Sequence, residues 1–314
     1  MKKTLLAFTL STVLIPATAL AEWPEKPVTI IVPWAAGGNT DTVARLTAKG
    51  LQEELGVNVN VVNKTGGSGV VGHDAVKSAK PDGYTLGIAT VEIASMHHQG
   101  MTKLSYQDYT PITRLAVIYG GLQVSKSSPF KSAEEVIEFA KENPGKLKAS
   151  GSGLNSIWHL NSIGMLRSAG LKDDAIRYIP TQGSSAALQE LAAGGIDIVT
   201  SSPGEADSMV KAGLVNNLTI MSKERSPFYS DVPTFKEATN RDWELQAWNM
   251  LVAPAGLDKS VQEKLMNAMK KVYAKGELAS FANKQGFEVI ELYGDDAHTF
   301  MANEDKKFGD ILKN

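Results

Sequence analysis

Residues 28–41, VTIIVPWAAGGNTD, restrict this chain more than any other stretch. The unbroken β-branched run reads as a strand buried on both faces, because a strand with one wet face would alternate. Two glycines then give a tight loop, and Asn39-Thr40-Asp41 place short polar side chains at the start of a helix continuing through Val43, Ala44 and Leu46. The first turn of a helix leaves backbone N–H groups unpaired and carries about half a positive charge. Such a loop can hold an anion without any Lys or Arg. Taken alone it would be an ordinary strand-to-helix turn, but the chain repeats the device. Ser150-Gly151-Ser152-Gly153-Leu154-Asn155-Ser156 precedes an expected helix over 157–169, and Thr181-Gln182-Gly183-Ser184-Ser185 precedes another over 186–193.

Between these loops, strands and helices alternate. Strands are expected at 57–62 and 84–90 and helices from about Thr42 to Leu55 and up to Lys80, the pattern of a doubly wound α/β sheet. Residues 92–111 are less regular and are expected to edge a cleft. A second α/β unit opens with a helix over 132–141, where Ser132 and Glu135 have capping-box spacing. Two long apolar stretches, 112–124 and 243–254, read as strands crossing between units. The tail is expected to hold helices over 260–273 and 295–312 with a strand at 287–290 between them. The expected division is lobe 1 over 22–123 plus 247–314 and lobe 2 over 124–246, with the ligand between them outside the carboxyl ends of the strands.

Lys2 and Lys3, the apolar run 5–15 and Ala19-Leu20-Ala21 form a secretory signal peptide over 1–21, with cleavage expected before Glu22. The apolar run is too short for a membrane anchor. With no cysteine, disulfides and thiolate metal sites are excluded. The expected setting is a bacterial periplasm, as a monomer with no membrane insertion after cleavage. Lys and Arg number 32 against 34 Asp and Glu, with no basic stripe, which argues against nucleic acid. No G-x-S-x-G elbow or H-E-x-x-H helix is present, and no catalytic residue, metal or cofactor is assigned. His97-His98 read as a solvated loop rather than a metal site, and Asp41 with Arg45 as a helix-supporting pair.

Trp23-Pro24, Pro33-Trp34-Ala35-Ala36-Gly37-Gly38 with Asp41, Pro81-Asp82-Gly83-Tyr84, Asn143-Pro144-Gly145, Asp231-Val232-Pro233-Thr234 and Ala253-Pro254-Ala255-Gly256 occur in a specific order and spacing. In these the chain resembles the periplasmic receptors of tripartite tricarboxylate transporters, the Bug-type solute-binding proteins. The resemblance implies a two-lobed, type II-like periplasmic binding protein. Such a protein captures a small organic carboxylate and delivers it to the membrane components of the transporter. It also implies that loops equivalent to 35–40 and 150–156 hold the carboxylate through backbone and hydroxyl groups. The candidate ligand residues are Trp34, Ala35, Ala36, Gly37, Gly38 and Thr40; Thr90 and Glu92; Ser150, Ser152, Asn155 and Ser156; Gln182, Gly183 and Ser184; and Ser201. Where many members have Tyr-Lys-Gly-Ser this chain has Thr181-Gln182-Gly183-Ser184, and where Phe-Asp is common it has Thr200-Ser201. Glu92 stands where a glycine is common. The far end of the ligand is therefore expected to differ from that of a typical member. The competing reading is an exported oxidoreductase that binds a dinucleotide through Gly67-Ser68-Gly69-Val70-Val71-Gly72, with Glu92 twenty residues on.

Overall fold

The computed structural model describes residues 23–313 except Ala35, Gly38 and Gln182. The signal-peptide stretch lies outside the described residues. From the amino end the elements are β1 (Val28–Val32), α1 (Asn39–Leu55), β2 (Val59–Asn63), α2 (Val70–Lys77), β3 (Thr85–Thr90) and β4 (Tyr109–Tyr119). Then come β5 (Gly121–Ser125), α3 (Ala133–Glu142), β6 (Lys148–Ser150), α4 (Ile157–Ser168), β7 (Arg177–Tyr178), α5 (Ser184–Ala193), β8 (Ile198–Val199), α6 (Pro203–Lys211) and β9 (Val215–Ile220). The chain closes with α7 (Phe235–Thr239), β10 (Gln246–Pro254), α8 (Lys259–Ala274), α9 (Glu277–Gln285) and α10 (Gly294–Lys313).

These strands form two sheets, ordered β2-β1-β3-β10-β4 and β7-β6-β8-β5-β9. In the first, β1 runs parallel to β2 and β3, while β10 is antiparallel to both β3 and β4. In the second, β6 runs parallel to β7 and β8, and β5 is antiparallel to β8 and β9. The β-branched run of β1 has a direct consequence: Val28, Ile30 and Val32 pack into one hydrophobic cluster with α1 and α8, and Ile31 points into another. Burial on both faces is what parallel strands covered by helices require.

Three expectations change. The stretch 112–124 is not one strand, because the chain leaves the first sheet at the end of β4 and enters the second at Gly121. The passage falls at Gly120, whose N–H is held by Leu245 O at 2.9 Å beside the return path. Residues 287–290 form no strand but a single bridge, Val117 to Glu288, and α9 precedes them. Ser132 accepts from Glu135 N at 3.2 Å, yet Glu135 Oε2 accepts from Lys131 N rather than from Ser132, so the box is not reciprocal. Reciprocal boxes occur instead at Ser105 with Asp108, Ser202 with Glu205 and Thr234 with Glu237.

Candidate functional site

The carboxyl ends of β1, β3 and β6 open on a cleft of about 530 Å³, walled on one side by β3, β4 and β10 of the first sheet and on the other by loops and helix starts that follow strands of the second. On the first wall, Thr90 ends β3. Its N–H is accepted by His73 Nε2 of α2 at 3.1 Å. Its hydroxyl accepts from Trp34 Nε1 at 3.3 Å and donates to Glu92 Oε2 at 2.5 Å. His73 is 1% exposed, and burial pushes its imidazole down to about 4, so it is a neutral acceptor. Burial pushes the Glu92 carboxyl above its ordinary range, and the Thr90 hydroxyl opposes that only in part. Glu92 is therefore an acidic group held in place by hydrogen bonds, with no cation among the described residues that line the cleft.

The glycine loop of the first wall is largely committed to itself. Asp41, 2% exposed, accepts Gly37 N at 2.8 Å, Arg45 Nε at 2.9 Å and Asn63 Nδ2 at 2.8 Å. Burial alone would raise the Asp41 carboxyl, but these partners outweigh it and hold it below its ordinary range. A chain carboxylate thus sits where an external anion was expected, and Gly37 N–H is already taken.

The second wall is different. The loop before α4 holds Asn155 at φ 60°, donating its N–H to His159 Nδ1 at 2.9 Å. Ser152 N–H is donated to the Tyr178 hydroxyl at 2.9 Å, and Ser152 and Ser156 hydroxyls bond each other. Ser156 Oγ also donates to Gly153 O at 2.6 Å, so it is turned away from capping, and α4 begins with no side-chain cap. Glycine 183 likewise gives α5 no side-chain cap. Beside α5, Glu205 Oε1 accepts Ser184 Oγ at 2.5 Å, and its Oε2 accepts Ser202 N and Oγ, each at 3.1 Å. Burial raises the Glu205 carboxyl despite these donors. Gln99 Nε2 reaches across to Asn155 O at 3.1 Å and links the two walls.

Of the candidate residues, Trp34, Thr40, Thr90, Glu92, Ser152, Asn155, Ser156, Gly183 and Ser184 line this cleft. Ala36 and Gly37 lie at the exposed loop surface and are not among its lining residues. Ser150 and Ser201 are fully buried beneath it: Ser150 Oγ meets Thr181 Oγ1 at 3.2 Å, and Ser201 Oγ donates to Gln123 Oε1 at 3.3 Å. Ala35, Gly38 and Gln182 lie outside the described residues. Sequence reasoning missed Glu205, Asn249 and the two core tryptophans Trp158 and Trp248, all on the cleft wall. Asn249 had a signal, being a polar residue inside an apolar strand; Glu205 reads in sequence only as a capping-box partner.

Of two further motifs, the first resolves as packing and the second as a histidine–carboxylate cluster. Gly72, the last glycine of the fingerprint, brings α2 against β1: a Cβ there would lie 2.4 Å from Pro33 Cα and 2.6 Å from Lys64 O. His97 and His98 are not a solvated loop but stack on each other, with Nε2 atoms 3.0 and 3.6 Å from the Asp305 carboxylate on α10. A second cavity of about 530 Å³ lies among Arg114, Lys223, Arg225, Lys307 and the acids Glu224, Glu244 and Glu288. Its charges are interleaved, and the carboxyl ends of β1, β3 and β6 are not part of it, so it lacks the converging helix starts of the first.

Residues 43–314 match the family described as "Tripartite tricarboxylate transporter family receptor". The chain belongs to that family. The receptor is 27% identical to Protein BugT of Bordetella pertussis over 297 residues, covering 93% of this chain and 90% of that one. A solved structure of an R. palustris protein with adipate aligns with TM-score 0.81 and 27% identity, over 93% of this chain and 98% of the other. MatC from Rhodopseudomonas palustris with bound malate aligns with TM-score 0.78 and 26% identity, over 92% and 100%. The family consists of solute-binding receptors, so the protein is a receptor and not an oxidoreductase. Among the described residues no helix is long and apolar enough to cross a membrane.

Proposed function

We propose that the receptor holds a small organic carboxylate in this cleft by the N-terminus of α4 and passes it to the membrane components of a tripartite tricarboxylate-type transporter. The observation that carries this is the missing cap of α4, whose first turn opens into the cleft with unpaired N–H groups. Among the described residues no Lys, Arg or His lines the cleft, so the helix start is the principal positive potential they offer an anion. The adipate and malate bound to its relatives agree in chemical class.

The reading has the protein exported to the periplasm with cleavage before Glu22, acting as a monomer without nucleic acid. Lobe 1 comprises 22–123 plus 247–314 and lobe 2 comprises 124–246, with the hinge at Gly120 and the return into β10. The ligand-binding set is the nine cleft-lining candidates, and Ala35, Gly38 and Gln182, outside the described residues, are kept in it on their sequence positions alone. Closure follows from a ligand touching both lobes, which favours the closed form by its differential affinity.

The test is calorimetry of short-chain carboxylates on wild type and Asn155→Asp. Asn155 is exposed at the α4 terminus, and aspartate tolerates its positive φ. The new carboxylate should lower affinity by roughly tenfold or more through like-charge repulsion, with folding unchanged or slightly improved by the helix dipole. Equal affinity in the variant removes the α4 terminus from the site.

A further inference from the structure

We propose that His97, His98 and Asp305 form a binding site for a divalent transition metal of the Zn²⁺ type, and that the bound ion fastens the edge of the cleft to α10. The site lies outside the carboxylate cleft and does not depend on what the cleft holds.

His97 and His98 belong to the segment between β3 and β4, and Asp305 lies on α10, so the three groups come from parts of the chain far apart in sequence. One ligand atom from each falls within 4.8 Å of the other two. Adjacent residues seldom face one point, but here the two imidazole rings stack with centroids 4.0 Å apart and planes at 40°. Gly309, one helical turn beyond Asp305, leaves room for this: a Cβ there would lie 2.8 Å from His98 Cε1. The same segment supplies Glu92, Ser95, Met96 and Gln99 to the cleft wall, and Gln99 reaches Asn155 O on the other side. An ion joining His97 and His98 to α10 therefore holds that wall.

The groups of the cluster are close without bonding. His97 Nε2 is 3.0 Å from Asp305 Oδ1, yet Oδ1 is buried with no hydrogen-bond partner. Nitrogen and oxygen are thus near each other without the alignment a hydrogen bond needs, as when both face a third body. Ligand atoms about 2.1 Å from one metal ion stand about 3.0–3.4 Å apart at ligand angles of about 90–109°. His98 Nε2 and Asp305 Oδ2, at 3.6 Å, are within a few tenths of an ångström of that range. His98 Nε2 also lies 3.1 Å from Asp305 O, so ligation moves its proton to Nδ1 and gives up that hydrogen bond. Buried polar oxygens are normally satisfied, and a cation would satisfy Oδ1. Two imidazole nitrogens with one carboxylate suit Zn²⁺, Ni²⁺ or Co²⁺, whereas Mg²⁺ and Ca²⁺ prefer oxygen alone. His97 Nδ1 is buried without a partner, so the outer hydrogen bond that supports a ligating histidine is missing, and the affinity expected is micromolar. The His97 and Asp305 side chains are 20% and 18% exposed, which lets water complete the coordination.

The experiment takes the mature receptor without an affinity tag, strips it with chelator, and titrates it with Zn²⁺, Co²⁺ and Ca²⁺ by calorimetry. Wild type should bind one Zn²⁺ per chain and melt about 5 °C higher when Zn²⁺ is at a hundredfold excess over Kd. His97→Gln, His98→Gln and Asp305→Asn should each weaken Zn²⁺ binding by roughly tenfold or more, while melting near wild type in chelator. His298→Gln, on α10 but outside the cluster, should bind as wild type does. The visible absorption of bound Co²⁺, abolished by Zn²⁺, reads the same site with no substitution. Backbone amides of residues 95–101 should exchange more slowly with Zn²⁺ in wild type but not in Asp305→Asn. No binding of Zn²⁺ or Co²⁺ at roughly 1 mM overturns the site. Zn²⁺ affinity unchanged in all three cluster variants means an adventitious ion only and overturns it as well. Ca²⁺ bound as tightly as Zn²⁺ overturns the class of metal, and binding with unchanged amide exchange overturns the fastening of the cleft edge.

Discussion

In the loop before α1, Gly37 N–H is donated to Asp41 Oδ2 at 2.8 Å, whereas the loop before α4 contains no carboxylate and leaves its helix without a side-chain cap. Both loops follow a buried strand of their sheet, both are rich in glycine and small polar residues, and both open a helix. The first spends its helix terminus on stability, since Asp41 ties α1 to Arg45 and to Asn63 at the end of β2. The second keeps its terminus open at the cleft. A helix start binds an external anion only when no internal one has occupied it.

Removing Asp41 attacks the first loop alone and should give the largest effect. Asp41→Ala leaves Gly37 N–H and Asn63 Nδ2 without their charged acceptor, and hydrogen bonds to charged groups are worth about 1.5–3 kcal/mol each. Loss of roughly 3–5 kcal/mol of unfolding free energy is expected in urea titration, with carboxylate affinity far less altered than in Asn155→Asp. If Asp41→Ala weakened binding as much as Asn155→Asp, the two loops would share the anion and the contrast would fail.

The first wall should also be the acid-sensitive one. Unfolded His73 takes up a proton near 6.5, but buried His73 refuses it until about 4, so its contribution to stability is lost as pH falls through that window. The loss is up to about 3 kcal/mol. Glu92 and Glu205 act with the opposite sign, because their carboxyls are raised from 4.5 and stability falls as pH rises above that value. The melting temperature of wild type minus that of His73→Gln, followed from pH 7 to pH 4, isolates the histidine. Glutamine retains an acceptor for Thr90 N–H, and the difference should shrink steadily on acidification. A pH-independent difference would show that His73 contributes packing only.

The smallest effect is expected at the link between the walls. Gln99→Ala removes the bond from Gln99 Nε2 to Asn155 O, worth about 1 kcal/mol. If that bond favours the closed form, ligand affinity should fall by no more than roughly fivefold, with unfolding in urea scarcely changed. Tighter binding in the variant would mean that the link holds the cleft in a form the ligand must break.

Local sequence determined the elements and their order. The β-branched run of β1, the Asn39-Thr40-Asp41 start of α1 and the glycine loops before α4 and α5 were legible because periodicity and turn chemistry act over a few residues. The family was legible for a related reason, since its markers are turns and strand ends whose geometry demands particular residues. Only the tertiary structure decided which polar groups face the cleft. Ser150 and Ser201 read as site residues by their places at strand ends, yet they are turned inward to Thr181 and Gln123. Asn249 reads as interior, yet it stands beside Thr90 across a ladder joining residues 159 positions apart in sequence. The fate of Gly37 N–H was settled in the same way: Asp41 is near in sequence, but Asn63 from β2 fixes its carboxylate over the loop. Whether a donor is free depends on partners from distant segments, and no local pattern carries that information.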